Sequence, residues 1–194
     1  MAKLIKYTAI GFLSLSALIL TSCKQNAPED TKEAAQEIND KNMDGRTTEK
    51  NAQFAVDAYS EGLLEIELSK YAKEKSTDIN VKALAEKMIE AHALVNEELK
   101  RIADQKNIAL AQGLSEEQQE QYSKLTSKVG SDLNEAYAEK LVSDHKDAVS
   151  LYEKASEKEE DLDFKNFFTK TLPEIKHHLV SAEELETKVK SKKS

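Results

Sequence analysis

Four polar residues lie within long apolar helical stripes: Glu65, His92, His145 and His178. A carboxylate and three imidazoles buried together in an apolar core are costly unless a partner satisfies them. A divalent transition-metal ion is such a partner, because imidazole suits Zn, Fe, Cu or Mn and helix-bundle interiors often hold metal sites. The sequence therefore predicts a metal or small-ligand site made by these four side chains.

Two other interpretations of the same residues stay open at this point. Glu65 could hydrogen-bond one or two imidazoles in a buried polar network with water, with no metal present. The histidines could also lie at the edges of their stripes and be partly exposed to solvent. Glu61, Asp144 and Glu174 are candidate additional ligands, since each stands within one helical turn of one of the four.

Redox chemistry of the di-iron type is the weaker possibility for this core, and no catalytic residue is predicted. Glu174 and His177 have the Glu-x-x-His spacing of di-iron bundles, but no Glu stands three or four residues before His92. A di-iron carboxylate centre needs more carboxylates than these helices supply. His177 points about 100° away from His178 and is predicted to be a surface residue. We therefore expect a binding protein rather than an enzyme.

Four long helical patterns must position the four residues. Apolar residues recur at three-and-four spacing over about residues 52–75, 78–106, 131–158 and 162–189. Asp78 is suited to cap the second helix, and Pro173 is expected to kink the fourth. In the connection between the second and third patterns, Ser115 can cap a short helix that reaches about residue 129, and Gly130 is expected to end it.

The lengths of the connections predict how the helices pair. Short links make two antiparallel hairpins, whereas the middle link of about two dozen residues is long enough to cross a bundle from end to end. That connectivity is typical of an all-α, ferritin-like four-helix bundle, although up-and-down packing with a loose excursion fits the same pattern. Counted from the two short turns, Glu65 meets His92, and His145 meets His178, within one helical turn of the same height.

Composition excludes several classes of protein. The chain has 194 residues, a formal net charge of −8, 33% charged residues and 6% aromatic residues. This profile is typical of a helical protein and is too poor in β-branched and aromatic runs for a sandwich or barrel. An acidic chain is a poor candidate for nucleic-acid binding. The only cysteine, Cys23, cannot form an internal disulfide.

The N-terminus reads as an export signal. Two lysines precede a short apolar segment that ends in Leu20-Thr21-Ser22-Cys23. This stretch resembles the lipobox of bacterial lipoproteins, in which the Cys becomes the lipidated first residue of the mature protein; a plain secretory peptide is the alternative. The resemblance implies a signal peptide over residues 1–22 and a membrane anchor at Cys23. Lys24 then favours the outer membrane, with its face left open.

The segments after the cysteine differ sharply in composition. Residues 23–50 are polar, so they are predicted to form a flexible tether with at most a transient helical turn near residues 33–38. Residues 51–190 are predicted to form the four-helix bundle domain.

Several phrases resemble a family of small exported bacterial proteins, domain of unknown function 4142, which is related to the ferritin-like superfamily. The phrases lie over about residues 50 to 187 and are Gly62-Leu-Leu-Glu65-Ile-Glu-Leu-Ser-Lys-Tyr-Ala72, Val81-Lys-Ala-Leu-Ala-Glu-Lys-Met-Ile-Glu-Ala-His92, Leu141-Val-Ser-Asp-His145, and Leu172-Pro173 through His178-Leu179. The resemblance implies a four-helix ferritin-like domain in the cell envelope and no established activity.

By motif, the positions that carry over from the family are Glu65, His92, His145 and His178. The chain also departs from the family pattern. Ala91 stands where the family commonly has Asp, and Leu133 and Asn134 stand where it commonly has Phe-Asp. Ala91 deprives His92 of an orienting partner or a neighbouring ligand.

Overall fold

Helices account for most of the chain that the structure describes. The computed structural model describes residues 31–42 and 46–192. Within these residues there are six helices and no strand: α1 (Lys32–Asn42), α2 (Arg46–Lys75), α3 (Ile79–Gln105), α4 (Glu116–Thr126), α5 (Gly130–Lys158) and α6 (Leu162–Ser191). The all-α class predicted from the sequence is therefore confirmed. None of the described helices is both long and apolar enough to cross a membrane.

The long helices α2, α3, α5 and α6 each pack against two of the others. α2 and α3 form one hairpin, α5 and α6 form a second, and contacts of α2 with α5 and of α3 with α6 join the hairpins. The long connection from α3 to α5 carries α4, which packs on α2 and α5. Gly130, expected to end the short helix, instead begins α5 with a φ of 58°, and α4 ends earlier, at Thr126.

The core consists of two apolar clusters that follow one another along the long helices. The first cluster contains Leu99 and Phe168, and the second contains Leu64 and Leu141. On three helices a histidine lies between the parts that belong to the two clusters; these residues are His92, His145 and His178. The candidate site therefore occupies the layer where the two clusters meet.

Local sequence determines where several helices begin. Asp78 caps α3 and Asp161 caps α6, and each side chain accepts hydrogen bonds from backbone N–H groups of the first turn. Ser115 and Gln118 form a capping box at the start of α4, as the sequence suggested for Ser115. α6 continues through Pro173.

α2 and α3 approach closely at Gly62, three residues before Glu65. A Cβ atom at Gly62 would collide with the side chain of Asn96, whose Nδ2 donates to the carbonyl oxygen of Tyr59 at 3.1 Å. Asn96 stands one turn after His92 on α3. The missing side chain thus lets the two helices approach at the level where Glu65 and His92 meet.

The first helix falls inside the stretch predicted to be a flexible tether. α1 packs on α2 and buries Ala35 and Asn39. The Asn39 side chain also makes two hydrogen bonds with the backbone of Ala109. Its Nδ2 donates to the carbonyl oxygen at 3.0 Å, and its Oδ1 accepts from the N–H at 2.8 Å. The structure differs from the prediction because this anchor lies 70 residues away in the chain, beyond the reach of local composition. The predicted signal peptide 1–22 and Cys23 lie outside the described residues.

Candidate metal centre

Each of the four long helices contributes one side chain to the candidate site. Glu65 comes from α2, His92 from α3, His145 from α5 and His178 from α6. Their exposed fractions are only 4%, 5%, 0% and 6%. The alternative of partly exposed histidines at stripe edges is therefore wrong, and the residues share a common interior layer.

The centroids of the three imidazole rings form a nearly regular triangle. Their ring centroids are separated by 5.5 Å, 5.5 Å and 5.4 Å. Each histidine offers one ring nitrogen, and these three nitrogens all lie within 4.8 Å of one another. They are close enough to hold one metal ion. Three converging imidazole nitrogens suit a transition-metal ion of the Zn, Fe, Cu or Mn type.

Glu65 lies against two of these rings. Its Oε2 is 2.5 Å from His92 Nε2, and its Oε1 is 3.1 Å from His145 Nδ1. Neither contact has hydrogen-bond geometry, since His92 Nε2 and Glu65 Oε1 are both buried without a hydrogen-bond partner. The carboxylate is thus held beside the two imidazoles as a negative charge, which favours a proton or a cation between Oε2 and His92 Nε2.

The tautomer of His145 follows from its neighbour. His145 Nδ1 lies 3.0 Å from the carbonyl oxygen of Leu141, which can only accept, so Nδ1 carries the proton. His145 Nε2 then has a free lone pair, and it has no hydrogen-bond partner. Metal-binding histidines commonly donate their second N–H to a backbone carbonyl in this way. His178 Nδ1 is likewise buried and unpartnered.

The electrostatics of Glu65 and His178 favour the protonation states that bind a cation, whereas those of His145 favour a proton. Burial acts to raise the pKa of Glu65, but the adjacent His92 and His145 outweigh it and hold that pKa below its usual range. Burial, together with the charges of His92 and His145, lowers the pKa of His178 to about 3. For His145, burial opposes the proton, yet the charge of Glu65 raises its pKa. An ionised carboxylate and a neutral imidazole are the forms in which these groups bind metal.

The three additional candidate ligands do not join the converging group. Glu174 is exposed, and its Oε1 is 3.8 Å from His178 Nε2. Asp144 is paired with Lys140 at 2.6 Å, and Glu61 lies on the wall of a neighbouring cavity. Among the described residues the site therefore has one carboxylate, which is too few for a di-iron carboxylate centre. His177 is exposed, as predicted.

A cavity of about 780 Å³ lies beside the site and reaches Glu65 and His92. Sequence reasoning missed two residues of its wall, Gln121 and Tyr152. Tyr152 belongs to the apolar stripe of its helix, so its spacing indicates only burial, and the structure buries it next to the site. Burial, and then the charge of Glu65, raise the pKa of the Tyr152 hydroxyl well above its ordinary value. Gln121 gave no signal, because a glutamine on a short polar helix is ordinarily solvated.

These features define a helical protein with a buried cluster of three histidines and one glutamate beside an open cavity. Residues 33–185 match the model of the family described as Domain of unknown function (DUF4142), so the chain belongs to that family. The match begins within α1, earlier than the resemblance read from the sequence. Neither the curated proteins nor the solved structures give a match to this chain.

Proposed function

We propose that this protein binds one divalent transition-metal ion through His92, His145, His178 and Glu65, in storage of the ion or protection against metal stress. The observation that carries the proposal is the convergence in the core of one ring nitrogen from each of three histidines, each of which also has a buried nitrogen without a hydrogen-bond partner. The domain would be a ferritin-like four-helix bundle. Support for that arrangement comes from the pairwise packing of the long helices and from the long α3–α5 connection.

The free lone pairs favour an ion over a purely structural network. A buried polar atom without a partner costs about 1–3 kcal/mol, and the site has four: Glu65 Oε1, His92 Nε2, His145 Nε2 and His178 Nδ1. A cation held by the three converging imidazoles would give their nitrogens a partner, and Glu65, which lies beside this group and not within it, would supply negative charge. A network of hydrogen bonds needs donors in the same place, and the Nδ1 proton of His145 is directed to Leu141.

Metal analysis of the purified protein without a histidine tag tests this proposal. We expect about one ion per chain in the wild type and a loss of at least 10-fold in His92→Ala. His177→Ala is the matched control, because it removes an exposed imidazole next to His178 and should keep the ion. Absence of metal from the wild type, after growth with Zn, Fe, Cu and Mn supplied, would contradict the proposal.

A second candidate function is a structural or interaction protein whose buried polar residues only fix the register of the helices. The approach of Glu65 to two imidazoles, at 2.5 Å and 3.1 Å, favours it, since such contacts exist without an ion. The same metal analysis separates the two. A structural network predicts that His92→Ala loses stability while the wild type carries no ion.

We further propose that Cys23 is lipidated and anchors the protein in the cell envelope, as its lipobox-like context suggests. Expressed in a bacterial host, the wild type should partition into the detergent phase of Triton X-114. Cys23→Ala should partition into the aqueous phase, because it lacks the acceptor for the lipid. Equal partition of the two proteins would contradict lipidation, and a control with Ser22→Ala should behave as the wild type.

A further inference from the structure

The cavity beside the site is lined by side chains from α2, α3, α4 and α5 whose buried polar atoms lack partners. Besides Glu65 Oε1 and His92 Nε2, these unpartnered atoms are Gln121 Oε1 and Asp144 Oδ2. The three oxygens among them are acceptors of hydrogen bonds or donors of a lone pair to a metal. The side chains of Glu65 and His92 are only 5% and 7% exposed, so the deep end of the cavity terminates at buried, unsatisfied acceptors.

The cavity wall carries a net negative charge. Seven carboxylates and four lysines line the cavity, besides His92. Lys32 and Lys140 are already engaged by Asp57 and Asp144, at 2.8 Å and 2.6 Å. An anion entering here would meet more acceptors than donors, whereas a cation would meet ligands along the whole path.

Glu61 lies on the cavity wall and, unlike Glu65, is exposed. It stands one turn before Glu65 on α2, and it makes no ion pair or hydrogen bond in the described part of the chain. Its side chain is exposed to solvent within the cavity, and other parts of the protein lie close around it. Burial, and then the charge of Asp144, raise the pKa of Glu61, so the two carboxylates are close enough to act on each other.

α4 holds the Gln121 side chain on the cavity wall. The Gln118 side chain exchanges hydrogen bonds with Ser60 on α2, at 3.1 Å in each direction. The Tyr71 hydroxyl donates to the carbonyl oxygen of Thr126 at 2.8 Å. Because α4 is tied to α2 near both of its ends, Gln121 is held on the cavity wall between these anchors.

We propose that this cavity is the entry vestibule of the metal site, in which the oxygens of Glu61, Gln121 and Asp144 form a transient binding position for a divalent cation. The proposal rests on the proposed function of the three-histidine site. Lys140 forms an ion pair with Asp144 before an ion arrives, and the arriving ion displaces it. These three residues thus act on the rate of uptake, and the histidines hold the ion that has passed.

Stopped-flow uptake of Co²⁺ by the full chain, followed by the visible absorption of the bound ion, tests the vestibule. At low ionic strength we expect Glu61→Gln and Asp144→Asn each to lower the association rate constant about 3- to 10-fold, with a smaller change in Kd. Gln121→Ala should lower the rate constant about 3-fold without any change of charge. Lys140→Gln should raise it, because it frees Asp144.

Glu90→Gln is the matched control, since it removes one negative charge from the exposed face of α3, outside the cavity. Its association rate constant should stay within about 2-fold of the wild type, and high salt should reduce the effects of the two carboxylate variants. Equal rates in Glu61→Gln, Asp144→Asn and the wild type would overturn the vestibule, as would weaker binding with unchanged association rates. Failure of the wild type to bind Co²⁺, Zn²⁺, Mn²⁺, Fe²⁺ or Cu²⁺ at equilibrium would instead overturn the proposed function, and the vestibule with it.

Discussion

Saturating Zn²⁺ is expected to raise the midpoint of thermal unfolding of this protein by about 10 °C. A ligand that binds only the folded state stabilises it by about 4 kcal/mol at a concentration of 1,000 times its Kd. In a chain of this size each kcal/mol shifts the midpoint by roughly 2–4 °C. The unfolded chain presents no competing site of this kind, because the four donors come from four different helices.

Circular dichroism melts of the metal-stripped protein, with and without Zn²⁺, measure this shift. His178→Leu should lose most of it, because one of the three imidazole nitrogens is gone. His177→Leu should keep it, which separates the buried site from adventitious binding by a surface histidine. An equal shift in both variants would show that Zn²⁺ binds elsewhere.

The position of the site explains why an ion here would affect the whole fold. The histidines lie between the two apolar clusters and belong to neither of them. Without an ion this layer contains four polar atoms that lack hydrogen-bond partners. It therefore adds less to the folding stability than apolar packing adds elsewhere in the core. An ion would join the helices that carry these residues at the polar layer between the two clusters.

The long helices and the depth of the four residues could be predicted because both depend on local periodicity. A three-and-four apolar stripe specifies which face of a helix is buried. Counting residues from the short turns at Ser76 and Glu160 then places one polar residue of each helix at the same height. The sequence offered no way to tell whether the rings would face one another; the structure places their centroids 5.4–5.5 Å apart.

The remaining features depend on contacts between distant parts of the chain. α1 is held by Asn39 through Ala109, and no local pattern could distinguish this Asn from one in a tether. Glu61, Asp144 and Glu174 were equivalent by spacing, yet only the first two line the cavity. By contrast, the ion pair of Asp144 with Lys140 is a local i,i+4 contact, which helical spacing alone allows.

The two hairpins also share a local design. The phrase that begins at His92 resembles the one that begins at His178, with a Glu-Glu-Leu ending in both. The structure adds a second correspondence, because α3 and α6 each begin at a capping aspartate, Asp78 and Asp161. In both hairpins the second helix therefore starts at an Asp cap and carries a buried histidine toward the shared layer.

The metal-free protein is expected to lose folding stability as the pH falls below about 6.5, and much of that loss should come from His178. Burial and the charges of His92 and His145 hold its pKa at about 3 in the folded chain, against 6.5 in the unfolded chain. Between these values the unfolded state binds the additional proton, so the free energy of unfolding falls as the pH falls. A depression of this size corresponds to a contribution on the order of 3–5 kcal/mol.

The neighbours of His178 determine the shape of the pH profile. The pKa of Glu65 is lowered after His92 and His145 outweigh burial, so its contribution is present above pH 4.5 and is also lost on acidification. The pKa of His145 is raised, because Glu65 outweighs burial, so its contribution is present below pH 6.5 and is lost as the pH rises through the folded-state value. Stability of the metal-free protein should therefore pass through a maximum near neutral pH.

Urea unfolding of the metal-stripped protein at pH 7, 5.5 and 4.5 checks this expectation. The wild type and His177→Leu should lose stability steeply over this range, whereas His178→Leu should lose about 3 kcal/mol less. Parallel pH profiles for the two leucine variants would show that the His178 ring is not held neutral in the core. Protons and a metal ion compete for the same lone pairs, so Zn²⁺ should delay the acid transition only in proteins that retain His178.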